Sequence, residues 1–73
     1  MNETAKQAQQ IYDYMRSEGP ITQMIALARF GCMRLPSRVW DLRQAGVDVR
    51  SEFEYKLDSN GKVVKKWKRY FLA

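Results

Sequence analysis

The segment from 33 to 46 carries hydrogen-bonding side chains three or four residues apart: Arg34, Ser37, Asp41 and Gln44. Guanidinium, hydroxyl and amide groups at this spacing share one face of a helix. Such a face is suited to contacts with base edges and phosphates of a nucleic acid. The same pattern also describes an ordinary solvated helix face, so the rest of the chain must decide between the two.

The opposite face of this predicted helix is apolar. Leu35, Val39 and Leu42 recur at helical spacing and are expected to pack into a core. Pro36 is acceptable in the first turn, where backbone N–H groups have no partner within the helix. We therefore predict a helix over 35–45 that ends at Gly46.

Several classes of chemistry lack their usual residues. The chain of 73 residues has no histidine and one cysteine, Cys32, so a disulfide or a Cys/His zinc site cannot form within it. Clustered carboxylates and a glycine-rich phosphate loop are also missing. We predict no catalytic residues, no metal, no cofactor and no small-molecule substrate.

The sequence contains no apolar run near the roughly 20 residues that a membrane span requires. Its first ten residues, MNETAKQAQQ, are too polar for a signal peptide. The expectation is a cytoplasmic protein that does not enter a membrane, with Cys32 as a small buried side chain.

The net charge of +5 is concentrated at one end of the chain. All eight acidic residues precede Gly61 and are balanced there by basic ones. The excess lies in KVVKKWKRYFLA, as Lys62, Lys65, Lys66, Lys68 and Arg69. A basic segment of this kind favours a polyanionic partner, although a charge run is often only a solvated face.

The hydrophobic periodicity predicts one α+β domain over 1–73. Its predicted elements are helices over 4–17, 22–30 and 35–45, then a two-stranded hairpin over 47–57 and 63–72. Thr22 is placed to cap the second helix, and Gly31 to end it in a left-handed conformation. The short connection between the second and third helices is typical of a helix-turn-helix, with the two helices crossing steeply.

The hairpin register depends on the length of its turn. A two-residue turn at Asn60-Gly61 would pair Phe53 with Lys68, which is an unfavourable match. A three-residue loop with Gly61 left-handed pairs Phe53 with Trp67. We predict the latter register, whose remaining pairs are Leu57 with Val63, Val49 with Phe71, Glu52 with Lys68 and Glu54 with Lys66.

This register assigns each strand residue to a face. Phe53 and Trp67 would pack against the helices together with Val49 and Phe71, whereas Tyr70 would lie on the outer face. Trp40 falls at the edge of the apolar stripe of the third helix, where it is expected to close the hairpin base or to join a dimer contact.

The order of elements and the stretch SRVWDLRQAGVDV resemble winged helix-turn-helix domains. Over nearly its full length, from GPITQMIALARFGCMRL to RYFLA, the chain is similar to small stand-alone members found in phages, prophages and mobile elements. The resemblance implies binding of double-stranded DNA, with the third helix in the major groove. The resemblance itself names no physiological role. We predict a sequence-specific regulator of transcription or recombination in a phage or mobile element.

Candidate DNA-binding residues follow from these faces. On the helix they are Arg34, Ser37, Arg38 and Gln44, and on the hairpin they are Lys62, Lys65, Lys66 and Arg69. Asp41 is expected to orient Arg38 or Arg34 rather than to touch a polyanion, and Lys62 at the tip is the strongest hairpin candidate.

A second interpretation stays open, because a fold does not fix a function. The charge-balanced body is compatible with a winged helix that binds a protein, such as a phage-encoded inhibitor of a host protein. A single module buries little DNA surface, so a homodimer or a larger protein complex is a further expectation.

Overall fold

The computed structural model describes residues 3–73 and contains three helices and three strands in that part of the chain. The elements are α1 (Glu3–Ser17), β1 (Ile21–Thr22), α2 (Gln23–Phe30), α3 (Leu35–Gln44), β2 (Val49–Leu57) and β3 (Val63–Leu72). The strands form one antiparallel sheet in the order β1-β3-β2. The predicted α+β class with three helices and a terminal hairpin is confirmed. The short β1 adds a third strand to the predicted two-stranded hairpin.

The core is formed by one side of each helix and by the base of the sheet. Its buried members are Ile11, Met15, Ile21, Ala26, Cys32, Leu35, Val39, Leu42, Val49 and Tyr70. Burial of Leu35, Val39 and Leu42 confirms the apolar face predicted for α3. Cys32 is a free, buried thiol, as expected from its role as a small core side chain.

Both ends of α2 match the sequence prediction. The Thr22 hydroxyl accepts a hydrogen bond from the Ile25 N–H at 3.3 Å, as an N-cap does. Gly31 has φ +64° and its N–H reaches the Leu27 carbonyl at 3.0 Å. A left-handed residue at this position ends the helix and turns the chain toward α3.

The hairpin loop has the predicted form. Gly61 is left-handed, with φ +80°, and donates its N–H to the Asp58 carbonyl. The Asp58 carboxylate accepts from the N–H groups of Asn60 and Lys62, both at 2.9 Å. Leu57 pairs with Val63 on this loop, as predicted for three loop residues.

Beyond this first pair the predicted register is wrong. A bulge between Lys56 and Leu57 leaves Val64 as an extra residue on β3, because Lys56 pairs with Lys65 and Leu57 with Val63. The bulge shifts every later pair by one residue. The predicted pairs of Val49, Glu52, Phe53 and Glu54 are replaced by Val49–Leu72, Glu52–Arg69, Phe53–Lys68 and Glu54–Trp67.

The shift also exchanges which aromatic residues reach the core. Tyr70, expected on the outer face, is 5% exposed and belongs to the core, whereas Phe53 is 49% exposed. Trp67 and Phe71 alternate with Tyr70 along β3 and are half-buried on the other face. The buried Tyr70 and the ion pairs of Arg69 described below are consistent with this register and not with the predicted one.

Candidate nucleic-acid interface

Helix α3 turns one side to solvent. Pro36, Trp40 and Gln44 are exposed at intervals of four residues, and Ser37 beside them is half-buried. Trp40 is 60% exposed, so it does not close the hairpin base, and the alternative of a dimer contact stays a prediction. The outward surface of α3 therefore combines an indole ring with hydroxyl and amide groups.

The start of α3 is held by a side chain of α2. The Gln23 amide donates through Nε2 to the Cys32 carbonyl at 2.6 Å and accepts at Oε1 from the Leu35 N–H at 2.8 Å. The two bonds join α2 to the turn before α3 and to the first residue of α3. They also satisfy a backbone N–H that has no partner within the helix.

Arg34 stands as the N-cap residue of α3 and is exposed. Its carbonyl accepts from the N–H groups of Ser37 and Arg38 at 3.1 and 3.3 Å. Its backbone is thereby fixed by the first turn, while its guanidinium group lies outside the core.

The end of α3 is attached to the sheet by Arg43. Its Nε and Nη2 both donate to the Val49 carbonyl, at 3.0 and 2.8 Å. Arg43 also lies near the phenol of Tyr70. Burial raises the pKa of that phenol above its ordinary value of 10.0, and the positive charge of Arg43 opposes part of the rise.

Arg38 is engaged within α3. Its Nε lies 3.1 Å from Oδ2 of Asp41, and both side chains are partly buried. In the described part of the chain neither atom has a hydrogen-bond partner, so the attraction is that of an ion pair without hydrogen-bond alignment. Of the two arginines that Asp41 was expected to orient, the structure pairs it with Arg38.

Arg69 carries the ion pairs of the hairpin. Its Nε donates to Oε1 of Glu52 at 2.6 Å and lies 3.5 Å from a carboxylate oxygen of Glu54. The predicted pairs of Glu52 with Lys68 and of Glu54 with Lys66 are therefore wrong. The cause is the bulge, which moves Arg69 opposite Glu52.

The four lysines of the hairpin's second half keep their charge uncompensated. Among the residues whose side chains the structure describes, 5–73, no carboxylate forms an ion pair with Lys62, Lys65, Lys66 or Lys68. Lys66 instead lies over the Phe53 ring, with its Nζ 4.2 Å from the ring centroid, and the Lys68 Nζ lies 5.6 Å from it. These cation–π contacts make the Phe53–Lys68 pairing favourable, although it looked unfavourable by residue type.

The chain matches the model of a family described as winged helix-turn-helix domain over residues 6–73. The protein belongs to the winged helix-turn-helix family. Comparison with curated proteins and with solved structures gives no match. In the terms of this family, α2 and α3 form the helix-turn-helix and the β2–β3 hairpin is the wing. Membership supports DNA binding, and the module is typically not enzymatic.

The winged helix-turn-helix domain holds residues with structural roles that the sequence analysis missed. Gln23 and Arg43 bond to backbone atoms 9 to 12 and 6 residues away, respectively. The exposure of Trp40 could have been predicted, because Trp40 lies midway between Pro36 and Gln44 on the helical wheel.

Among the residues that the structure describes, no three or more His, Cys, Asp or Glu side chains group together as a metal site would require. In the same part of the chain, no helix has both the length and the apolar character for crossing a membrane.

Proposed function

We propose that this winged helix-turn-helix protein binds double-stranded DNA in a sequence-specific manner, as a regulator of transcription or recombination. One observation carries the proposal. Helix α3 exposes a continuous outward side while both of its ends are fixed, by Gln23 to α2 and by Arg43 to the wing. A helix held in this way presents side chains to the major groove with little loss of freedom on binding.

The proposed contacts divide into two kinds. Arg34, Ser37 and Gln44 are exposed or half-buried on α3 and would contact base edges, whereas Lys62, Lys65 and Lys66 on the wing would contact phosphates. Arg38 and Arg69 have carboxylate partners, so we assign them a lesser role, chiefly in positioning these surfaces. Origin in a phage or mobile element and assembly as a dimer belong to the same proposal, supported by the sequence resemblance and by the small area of one module.

The test first selects a DNA duplex that the protein binds from a pool of random sequences. Binding of the protein to this duplex is then titrated at several salt concentrations. Arg34→Ala should cost about 1–3 kcal/mol of binding free energy and relax specificity. Lys62→Ala should weaken all duplexes alike and lower the salt slope by about 1.

The matched control is Lys6→Ala, which removes the same charge from α1. It should change neither specificity nor the salt slope. Absence of duplex binding at low salt would contradict the proposal. Equal, sequence-independent losses for Arg34→Ala and Lys62→Ala would show that α3 does not read bases.

A further inference from the structure

A groove of about 600 Å³ runs between the wing and the starts of α2 and α3. Its apolar wall consists of Met24, Leu27, Pro36 and Trp67. Met24 is 73% exposed and Leu27 is 51% exposed, which is high for large apolar side chains of one short helix. Apolar side chains gathered in one concave surface are typical of an interaction site.

Two polar side chains of the same wall are already hydrogen-bonded. The Gln23 amide is bonded to Cys32 and Leu35, and the Thr22 hydroxyl accepts from Ile25. The charged groups at the rim are the ammonium groups of Lys56, Lys65 and Lys68, which form no ion pair in the described part of the chain. A ligand for this groove therefore needs apolar groups for the wall and negative charge for the rim.

One side of the groove is the edge of a strand. In the described residues β1 pairs with β3 only at Arg69 and Tyr70, while β2 covers the other edge of β3. The edge of β3 over 65–68 thus has no strand beside it. Four residues of free edge extend about 13 Å, which is enough for a short extended peptide to pair with.

We propose that this groove binds an extended acidic peptide segment of a partner protein, which adds to the sheet beside β3. Alternate side chains of the segment would be apolar, directed to Met24 and Leu27 on the side of the helices, and acidic, directed to Lys56 and Lys65 on the opposite face of the sheet. A second copy of this chain does not suit the site, because a net charge of +5 and the lysine rim repel each other. Duplex DNA hides its base faces in the stack and presents charged phosphates outside, so it offers little apolar surface to cover the Met24 and Leu27 side chains.

The test uses synthetic eight-residue peptides. The probe alternates glutamate and valine, one control replaces every glutamate by glutamine, and a second control methylates alternate backbone nitrogens. Binding is followed by amide NMR shifts and by Trp67 fluorescence in a Trp40→Phe background. The acidic probe should shift the amide resonances of residues 22–27 and 65–68 and bind at least about tenfold more tightly than either control.

The protein variants identify the site and separate this proposal from DNA binding. Met24→Ser combined with Leu27→Ser should abolish peptide binding while leaving duplex binding unchanged. Lys56→Glu should weaken peptide binding about tenfold. Met33→Ser, at an exposed methionine outside the groove, should change neither.

Several results would overturn the groove proposal. They are equal binding of all three peptides, no resonance shift at millimolar probe, self-association through the groove, or loss of duplex binding in the double variant. Peptide binding without any duplex binding would instead uphold the groove proposal and contradict only the proposed function.

Discussion

Helix α3 and the wing differ in how much of each element is buried in the core. Three of the ten residues of α3 are buried, and side chains from outside its outward face fix both of its ends. The wing has nineteen strand residues, of which only Val49 and Tyr70 are buried, both at its base. The helix therefore presents a surface whose geometry depends on the core. The outer wing depends on strand pairing, ion pairs and cation–π contacts.

The largest expected effect breaks the more buried half of this comparison. Leu35→Ala removes a fully buried side chain and should lower the free energy of unfolding by about 2–5 kcal/mol. Leu57→Ala, at an exposed position near the wing tip, should lower it by less than about 0.5 kcal/mol. Urea denaturation of both variants measures the contrast, and similar losses would show that the wing tip shares the core's stability.

An intermediate effect concerns the attachment of α3 to α2. Gln23→Met keeps the side chain's size but leaves the Leu35 N–H and the Cys32 carbonyl without their partner, at a cost of about 1–3 kcal/mol. Amide hydrogen exchange at Leu35 should become faster in this variant.

The control for that variant is Gln9→Met, which removes an exposed bond from Gln9 to Asp13 and should cost less than about 0.5 kcal/mol. Unchanged exchange at Leu35 in Gln23→Met would mean that the turn holds α3 without the glutamine.

The smallest effect tests the base of the wing and appears only at high pH. Because burial raises the pKa of Tyr70, the folded state binds the phenolic proton more tightly than the unfolded state. The contribution of Tyr70 to the free energy of unfolding is fully present below the pKa of the unfolded state, near 10.0. It is lost as pH rises through the higher pKa of the folded state.

Tyr70→Phe should remove this part of the pH dependence, as measured by thermal unfolding between about pH 9 and pH 11. An identical pH profile for wild type and Tyr70→Phe would contradict it. Arg43→Met should steepen the decline, since Arg43 opposes the rise in pKa.

The sequence was sufficient wherever one local rule decided the structure. The apolar spacing of Leu35, Val39 and Leu42 specified the buried side of α3, and Gly31 and Gly61 marked two of the four positive-φ positions in the described residues. In each case the information lies within a few residues of the chain.

The wing register and the contacts that hold α3 depend on distant residues. Two requirements compete in the wing. The three-residue loop places Leu57 opposite Val63, whereas burial of Tyr70 goes with a register shifted by one residue. The bulge at Val64 satisfies both. Neither of the two registers compared from the sequence contains a bulge, so neither includes this pairing. The bonds of Gln23 and Arg43 to backbone atoms leave no trace in residue type or periodicity. Which of the candidate DNA-binding residues act on DNA stays a prediction.

The two attachments of α3 also bear on how such a domain can evolve. Gln23 and Arg43 bond to main-chain atoms at Cys32, Leu35 and Val49, which every amino acid supplies except proline at a donor. Substitutions on the outward side of α3 leave both attachments in place. A lineage is then free to change the outward side of its third helix, one residue at a time, without altering the contacts that hold that helix in place.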